Sequence, residues 1–365
     1  MLYIFYINLL LALIAFVNSY SFRKIPKELR LILPTTVILP YRNEVKNLPN
    51  ILKSLEKSLK NENLSAVLVN DQSTDGSQEL TTKLVNSWDD SKRSRTKLIS
   101  SSDKPEGWVG KSWANFQGFK EVSSDTQFLL FIDADIEFNE FAISSCINMM
   151  EKEELDLVSP YPKQIALTWS EKLFQPLLHW SWMTTLLLRK SEKSKRPSTV
   201  VANGQFMAVR KIAYETCGGH EKIRTQVLDD IALGRLLRRN NLNVILADGL
   251  EYITCRMYSN FSELIGGYSK SLWSSLPNLF AAFMVSVFYF ATSILPVLGI
   301  ILNWKYSLVS LLAIVASRYI CALRFGESLI SPIFQPMAIL MFILLMKLSW
   351  YKKYTNKIQW KGRTI

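Results

Sequence analysis

Long uncharged apolar runs lie near both ends of the sequence, whereas the middle alternates short apolar runs with helical patterns. Residues 2–20 form a nearly continuous apolar run of the length that a bilayer requires, and basic residues follow it. In a cleaved signal peptide the positive charge would come before the apolar run, so the pattern favours a membrane anchor at residues 1–22.

Three further apolar segments, at residues 279–302, 306–323 and 330–346, are candidates for membrane spans. Basic residues follow the first span and also fill the tail, which predicts a cytoplasmic location for both the middle domain and the tail of a multi-pass membrane protein. An even number of crossings must then separate them. Because Arg318 would cost about 2.5 to 3.5 kcal/mol at the bilayer centre, we expect residues 306–323 not to cross. Alternatively, Pro296 splits the first segment into a re-entrant hairpin and the other two cross.

Residues 31–260 have the alternation of strand and helix patterns that is typical of an α/β domain with a mostly parallel sheet. A helical pattern at residues 48–59 between two strand patterns predicts a βαβ unit. The predicted strands are residues 36–40, 66–70, 127–132, 155–159 and 199–210, and a further helix is predicted over residues 226–239.

Residues 165–188 are rich in Trp and Leu but are interrupted by charged residues and proline. We expect an interfacial amphipathic helix here, with a helix buried in the domain as the alternative. Residues 261–365 would then form an acceptor-side and C-terminal membrane region.

The composition of the chain is 48% hydrophobic and 20% charged, with a net charge of +12. Such a charge is compatible with nucleic acid, anionic lipid or phosphorylated small molecules, and membrane lipid together with a nucleotide explains it best. We expect no nucleic-acid partner. The four cysteines and two histidines lack the spacing of a zinc site or a disulfide framework.

Polar residues follow three of the predicted strands, at residues 40–44, 71–76 and 133–135. Ligands of an open parallel sheet bind beyond the carboxyl ends of its strands. Asp133 and Asp135 come directly after an apolar strand, where a buried carboxylate needs a cation or hydrogen bonds. The pair suits Mg²⁺ or Mn²⁺ held against a diphosphate, although Asp also favours turns. Neither a GxGxxG nor a GxxxxGK[ST] motif is present, which disfavours dinucleotide oxidoreductases and P-loop NTPases.

Seven short motifs, in order and spacing, resemble those of membrane-anchored glycosyltransferases of family 2, which have the nucleotide-sugar-binding GT-A fold. They are PYRNE (40–44), VNDQSTDGS (69–77), GWVGKSWA (107–114), DAD (133–135), NGQFMAVR (203–210), GGH (218–220) and LDDIAL (228–233). GWVGKSWA, GGYSKSLW and WKGR are similar to the branch that contains hopanoid-associated and diaponeurosporenoate (carotenoid) glycosyltransferases. The resemblance implies a Rossmann-like, mostly parallel sheet with N-terminal and C-terminal transmembrane helices.

The resemblance also implies roles for the residues that carry it. Asp133 would face the ribose of the donor, Asp135 would hold the metal, and Lys111 would approach the diphosphate. The residues expected around the base and ribose are Pro40, Arg42, Glu44 and Asp71.

The acceptor side follows the resemblance less closely. LDDIAL has Asp229 where the family has Glu, so the catalytic base is expected to be Asp230, whereas adjacent acids at a helix start can also simply complement the dipole. His220, Asp229 and Trp273 are expected on the acceptor side. The Q/RxxRW signature of polymerising members is absent, which favours a single transfer.

The sequence therefore predicts an inverting, metal-dependent glycosyltransferase at the cytoplasmic membrane face. It would move a hexose from a nucleotide diphosphate sugar, UDP-glucose being the first choice, to a lipid or isoprenoid acceptor. The alternatives are a polyprenyl-phosphate sugar synthase and a catalytically silent nucleotide-binding membrane protein.

Overall fold

The computed structural model describes residues 1–360 and 363–364. The chain divides into two compact units, and each unit is assembled from separate stretches of sequence. The helical unit comprises Met1–Phe22, Gln164–Lys190 and Met257–Ile365, and the sheet unit comprises Arg23–Lys163 and Ser191–Arg256.

The sheet unit is built on a seven-stranded mixed sheet. Strand Thr35–Tyr41 pairs in parallel with both of its neighbours, and strand Phe206–Arg210 pairs antiparallel with both of its own. The expected α/β fold with a mostly parallel sheet is confirmed. From one edge to the other, the strands are Thr96–Ser100, Leu64–Asn70, Thr35–Tyr41, Phe128–Ile132, Phe206–Arg210, Leu157–Tyr161 and Val244–Asp248.

Helices cover the sheet, so its central strands are apolar on both faces. Val37, Ile38 and Leu39 are fully buried in succession, as expected of a strand between two helical layers. The helices of this unit are Leu48–Ser58, Ser77–Asn86, Asp90–Ser94, Gly110–Lys120, Ala142–Lys152, Lys211–Cys217, Gly219–Lys222 and Asp229–Arg239, with a 3₁₀ turn at Pro197–Thr199.

The sheet differs from the sequence prediction in three strands. The strand expected over residues 199–210 is only Phe206–Arg210, because the chain before it forms a 3₁₀ turn and loop. Strands Thr96–Ser100 and Val244–Asp248 were not predicted. Short strands Ile136–Phe138 and Ile253–Cys255 pair antiparallel beside the main sheet, near the two-residue strand Lys163–Gln164.

Among its described residues, the helical unit contains four helical segments that are long and apolar enough to cross a membrane. They are Leu2–Ser21, Leu279–Leu298, Trp304–Phe325 and Ser331–Tyr354. The second is interrupted by a π-helical turn at Phe290–Ile294, and the fourth begins with a 3₁₀ turn at Ser331–Phe334. The shorter elements of the unit are Trp169–Phe174, Leu177–Thr185, Phe261–Ser271, Leu272–Ser275, and the paired strands Gln359–Trp360 and Arg363–Thr364. The short helix Leu188–Glu192 begins in this unit and ends in the sheet unit.

The first helix, Leu2–Ser21, packs in parallel against Trp304–Phe325. Near their starts, Asn8 Nδ2 donates to Ser310 Oγ at 2.9 Å, and near their ends Arg324 Nε donates to the Ser19 carbonyl at 3.1 Å. Both amide protons of Asn8 are used, since the same nitrogen donates to the Thr292 carbonyl at 2.7 Å. A buried asparagine thus joins three of the apolar segments.

The segment expected to be one interfacial helix, residues 165–188, is broken at Pro176 into Trp169–Phe174 and Leu177–Thr185. Trp180 is buried and donates from Nε1 to Ser317 Oγ at 2.8 Å. Arg318 is also buried, and its Nη2 lies 3.4 Å from the Leu173 carbonyl. The guanidinium therefore faces protein rather than lipid, which removes the reason for expecting residues 306–323 not to cross.

Candidate active site

The carboxyl ends of three neighbouring strands place polar residues along one edge of the sheet. Strand Thr35–Tyr41 leads to Arg42 and Glu44, strand Leu64–Asn70 leads to Asp71, and strand Phe128–Ile132 leads to Asp133. The parallel register aligns Tyr41 with Asn70, so residues that follow these two strands emerge side by side. This edge is where an open α/β sheet binds its ligand.

Lys111 lies at the centre of a cluster of carboxylates. Its Nζ is 2.7 and 2.9 Å from the two oxygens of Asp133 and 3.8 Å from Asp229 Oδ1. Burial alone would lower the pKa of Lys111, but the surrounding carboxylates outweigh burial and raise it. The ammonium therefore stays charged. It forms a direct ion pair with Asp133.

Asp229 is a buried acid that remains ionised. Burial raises its pKa, yet the charge of Lys111 and the contact with His220 more than offset this and lower the pKa to about 2. His220 Nε2 lies 3.8 Å from Asp229 Oδ2. Asp229 thus contributes a fixed negative charge.

Asp230 has the opposite tendency, although it is the next residue. Burial first, and then repulsion from Asp229, raise its pKa to about 6. Its Oδ2 accepts the Gly204 N–H at 2.8 Å and its Oδ1 accepts the Ile231 N–H at 2.7 Å. These two backbone donors hold the carboxylate in one orientation, and its pKa is suited to proton transfer near neutral pH.

Asp135 is the acid that best fits a cation. Its Oδ1 is out of contact with solvent and has no hydrogen-bond partner among the described residues. Burial, with repulsion from Asp133 and Glu44, raises its pKa to about 7. No group of three or more Asp, Glu, His or Cys that could hold a metal occurs in the described part of the chain. One carboxylate with further ligands from phosphate and water is the mode in which Mg²⁺ usually binds.

The residues expected around the donor base and ribose lie on the first two strand ends. Arg42 Nη1 donates to the carbonyls of Asp71 and Gln72, at 2.6 and 3.0 Å. Asp71 is buried, and its Oδ1 accepts from Ser101 Oγ at 3.3 Å. Glu44 accepts from Asn47 Nδ2 through its Oε2, while Pro40 lies within strand Thr35–Tyr41.

Of the three acceptor-side candidates, two lie in the carboxylate cluster. His220 is fully buried beneath Asp229, and its ring packs edge-on against Phe131. Trp273 belongs to the helical unit, where its backbone N–H donates to Ser349 Oγ and Lys353 lies 4.2 Å from its ring centroid.

Gly204 is a site residue that the sequence analysis missed. A Cβ at this position would lie 3.1 Å from the Asp230 Cβ and 3.3 Å from Lys111 Nζ, so only glycine lets both approach. The signal available in the sequence was the Asn-Gly pair directly before an apolar strand, which we interpreted as part of the strand itself.

The chain is similar to several known proteins. Two curated relatives are named 4,4'-diaponeurosporenoate glycosyltransferase. The one from Staphylococcus haemolyticus is 27% identical over 65% of this chain and 60% of its own length, and the one from Staphylococcus aureus (strain USA300) is 26% identical over 90% and 87%. A solved mannosyltransferase from Pyrobaculum calidifontis, in complex with GDP-Man and Mn²⁺, superposes with a TM-score of 0.57 at 12% identity over 97% of this chain and 99% of its own.

The sheet unit thus has a GT-A-like α/β fold with carboxylates at the carboxyl edge of its sheet. The chain belongs to glycosyl transferase family 2, whose model matches residues 36–218.

Proposed function

We propose that the protein is an inverting glycosyltransferase that transfers a hexose from a nucleotide diphosphate sugar to a lipid or isoprenoid acceptor. UDP-glucose is the donor that we would test first. The observation that carries the proposal is the contrast between Asp229 and Asp230, since a fixed anion beside an acid of raised pKa supplies a general base.

On the donor side, Pro40, Arg42, Glu44 and Asp71 surround the base and ribose. Asp133 faces the ribose, and the contact between Lys111 and Asp133 keeps the ammonium at the diphosphate side of the cluster. The existing hydrogen bonds of Arg42 to backbone carbonyls support a role in shaping this pocket.

Asp135 would hold a Mg²⁺ or Mn²⁺ ion through its unpartnered Oδ1. When bound, such an ion would neutralise negative charge that develops on the leaving diphosphate. Lys111 contributes a second positive charge to the same region, and it needs no proton transfer to do so because its pKa is raised.

The reaction is one in-line displacement at the anomeric carbon. The acceptor oxygen forms the new bond to this carbon as the bond to the diphosphate oxygen breaks, and Asp230 takes the proton of an acceptor hydroxyl. A single displacement inverts the configuration. The names of the curated relatives support a carotenoid acid as acceptor. A carboxylate acceptor is already ionised, and Asp230 would then orient it.

The helical unit would anchor the enzyme with its sheet unit on the cytoplasmic side. Leu279–Leu298 and Trp304–Phe325 are connected by a tight turn, because a Cβ on Gly299 would come within 2.8 Å of Ser307 Oγ. Since Trp304–Phe325 runs parallel to Leu2–Ser21, both would cross towards the cytoplasm, and Leu279–Leu298 would cross outwards.

The last helix would then not cross. Its end is bonded to residues that precede the outward crossing, since Lys352 Nζ donates to Ser269 Oγ at 2.8 Å and Ser349 Oγ accepts the Trp273 N–H at 2.9 Å. The parity expected from the basic tail is kept, but the segment that stays on one side is Ser331–Tyr354 rather than residues 306–323.

Cysteine labelling tests this topology. The four native cysteines are buried, so a cysteine-free variant with one cysteine at exposed Tyr354 should resist an impermeant maleimide in intact cells and react after permeabilisation. A cysteine at exposed Ile301, in the proposed outer turn, is the matched control and should react in intact cells. Labelling of position 354 from outside would contradict the proposal.

Lipid analysis tests the function itself. Purified protein should transfer labelled hexose from a nucleotide sugar to an extract of the host's lipids, and a deletion strain should lack the glycosylated lipid in mass spectrometry. Donor binding without transfer or hydrolysis would instead support a catalytically silent protein.

A further inference from the structure

The Gly-Gly-His segment at residues 218–220 is the part of the site whose purpose the proposed reaction leaves open. Gly218 and Gly219 both have positive φ, at 80° and 46°. A Cβ on Gly219 would overlap the Tyr214 ring at 2.2 Å. Glycine therefore lets the backbone close over Tyr214, and this brings His220 into contact with the tyrosine hydroxyl.

Tyr214 holds His220 from two directions. Its hydroxyl oxygen accepts the backbone N–H of His220 at 3.1 Å, and it lies 2.9 Å from His220 Nδ1. Burial raises the pKa of the Tyr214 phenol, so its proton is available for donation. Burial also lowers the pKa of His220, which keeps the ring neutral. The hydroxyl then donates to Nδ1, and the ring proton resides on Nε2.

Nε2 is the atom that faces the carboxylate cluster. It lies 3.8 Å from Asp229 Oδ2, where an N–H is attractive and a lone pair would be repulsive. On the other side, Asn115 Nδ2 lies 3.3 Å from Nε2, and the Asn115 Oδ1 has no partner among the described residues. A half-turn of that amide, which exchanges Nδ2 and Oδ1, would give the same N–H a second acceptor. Tyr214 and Asp229 thus favour a donor at Nε2, and Asn115 does so once its amide is turned.

We propose that His220 is a positioning residue, which Tyr214 and Asn115 hold so that its Nε2–H fixes the Asp229 carboxylate between itself and Lys111. Asp229 then presents a constant negative charge to Asp230, the group that contacts the acceptor. His220 itself is buried and does not touch the substrate, in contrast to the acceptor contact expected from the sequence. The inference rests on the proposed function, because it concerns the base of that reaction.

The surroundings of His220 contain few other ionisable groups. Lys111 and Asn115 approach from helix Gly110–Lys120, Asp229 from helix Asp229–Arg239, and Tyr214 from helix Lys211–Cys217. On its own short helix, Glu221 acts on Tyr214 through its charge. A substitution of His220 would therefore remove its contact with one charged carboxylate, that of Asp229, together with the ring contacts to Tyr214 and Asn115.

The test compares His220→Leu, which fills the space without a donor, with His220→Gln, whose amide can donate to Asp229. A displaced catalytic group costs about 10²-fold in rate, so we expect His220→Leu to lower kcat by that order, with the donor Kd from calorimetry almost unchanged. His220→Gln should recover most of the loss. Tyr214→Phe should lower kcat by a smaller factor than His220→Leu. If His220→Leu does not fold, the comparison of Tyr214→Phe with His220→Gln tests the proposal instead.

Thr126→Val is the matched control. Thr126 is also a buried polar residue, and its Oγ1 lies 2.7 Å from Thr36 Oγ1, outside the carboxylate cluster. It should lower thermal stability without changing kcat. Wild-type kcat in His220→Leu, or an equal loss in His220→Gln together with lost donor binding, would overturn the proposal.

A second measurement separates this inference from the proposed function. With ¹³C-labelled aspartate, the Asp229 carboxyl signal should show ionisation at a lower pH in the wild type than in His220→Leu. This readout does not require sugar transfer. An inactive wild type would therefore refute the function alone, whereas identical titrations in the two proteins would refute the role of His220.

Discussion

The sheet unit and the helical unit both bury charged side chains, but they balance them differently. In the sheet unit, one lysine lies among four acids. Asp133 and Asp229 contact Lys111, whereas Asp135 and Asp230 have no ion pair among the described residues. In the helical unit, Glu327 contacts His179 at 3.2 Å and acts on the charge of Arg318. Buried acids whose pKa is raised and that lack an ion pair are candidates for a functional site, whereas paired groups are also typical of structural contacts.

The largest effect should come from Asp230. Asp230→Asn removes the proton acceptor but keeps the shape, so turnover should fall by about 10² to 10⁴, the range for a lost general base. Nucleotide-sugar affinity in calorimetry should stay nearly intact. Asp125→Asn, on an exposed loop, is the control and should behave as wild type. A collapse of donor affinity in Asp230→Asn would assign the residue to donor binding or structure instead.

Asp135 tests the excess of negative charge directly. Asp135→Asn should weaken donor binding by about tenfold, that is about 1.4 kcal/mol, and the activity that remains should no longer depend on a divalent ion. EDTA should inactivate the wild type, and added Mg²⁺ or Mn²⁺ should restore it. Full turnover of the wild type in EDTA would contradict the metal role.

Glu327 tests the balanced set in the helical unit. Glu327→Ala removes the contact with His179 Nε2 and the acidic neighbour of buried Arg318, and leaving a buried charge uncompensated costs about 3 to 5 kcal/mol. We expect a marked fall in the melting temperature in detergent. Glu221→Ala, an exposed acid of the sheet unit, is the control. An unchanged melting temperature would mean that Arg318 is compensated by other groups.

The pH dependence should report Asp230. The base must be ionised, and its pKa is raised to about 6, so kcat/KM should fall as the pH drops through this value. One pH unit below the pKa, the loss should be about tenfold. At saturating Mg²⁺ or Mn²⁺, which keeps Asp135 ionised, the acid limb should disappear in Asp230→Asn. Activity that is constant between pH 7 and pH 4 would show that no group with this pKa is required.

Gly204 should give the smallest effect. In Gly204→Ala, the new methyl group must displace Asp230 or Lys111 by a few tenths of an ångström, and we expect about a tenfold loss of kcat. Gly266→Ala is the matched control, because nothing lies within 4 Å of the position that its Cβ would occupy. Equal kcat in both variants would show that the approach of Gly204 to the cluster is not needed.

The sequence was sufficient to predict which residues lie at the edge of the sheet, because apolar strand patterns end where Asp71 and Asp133 begin. It was also sufficient to predict the family fold. It could not predict that Lys111 pairs with Asp133, since residues 22 positions apart meet only through the packing of a helix on the sheet.

One of the two missed strands has a similar explanation. Thr96–Ser100 is an edge strand with half-exposed residues, so its pattern is weaker than that of a buried strand. Arg318 shows the converse limit in the helical unit, because the sequence reveals a charge in an apolar segment but not the carbonyl of Leu173 that lies beside it. The roles of Lys111 and Arg318 both depend on contacts between segments that are distant in the sequence.

The pairing of Leu2–Ser21 with Trp304–Phe325 has a consequence for biosynthesis. Asn8 and Ser310 are 302 positions apart, so the first helix leaves the ribosome long before its partner exists. During that interval the amide of Asn8 lacks the partners that it has in the folded protein, Thr292 and Ser310. The sheet unit can fold before these partners are synthesised. The order of translation thus means that the helical unit can be completed only after the sheet unit has been synthesised, although helix Leu2–Ser21 precedes both stretches of the sheet unit.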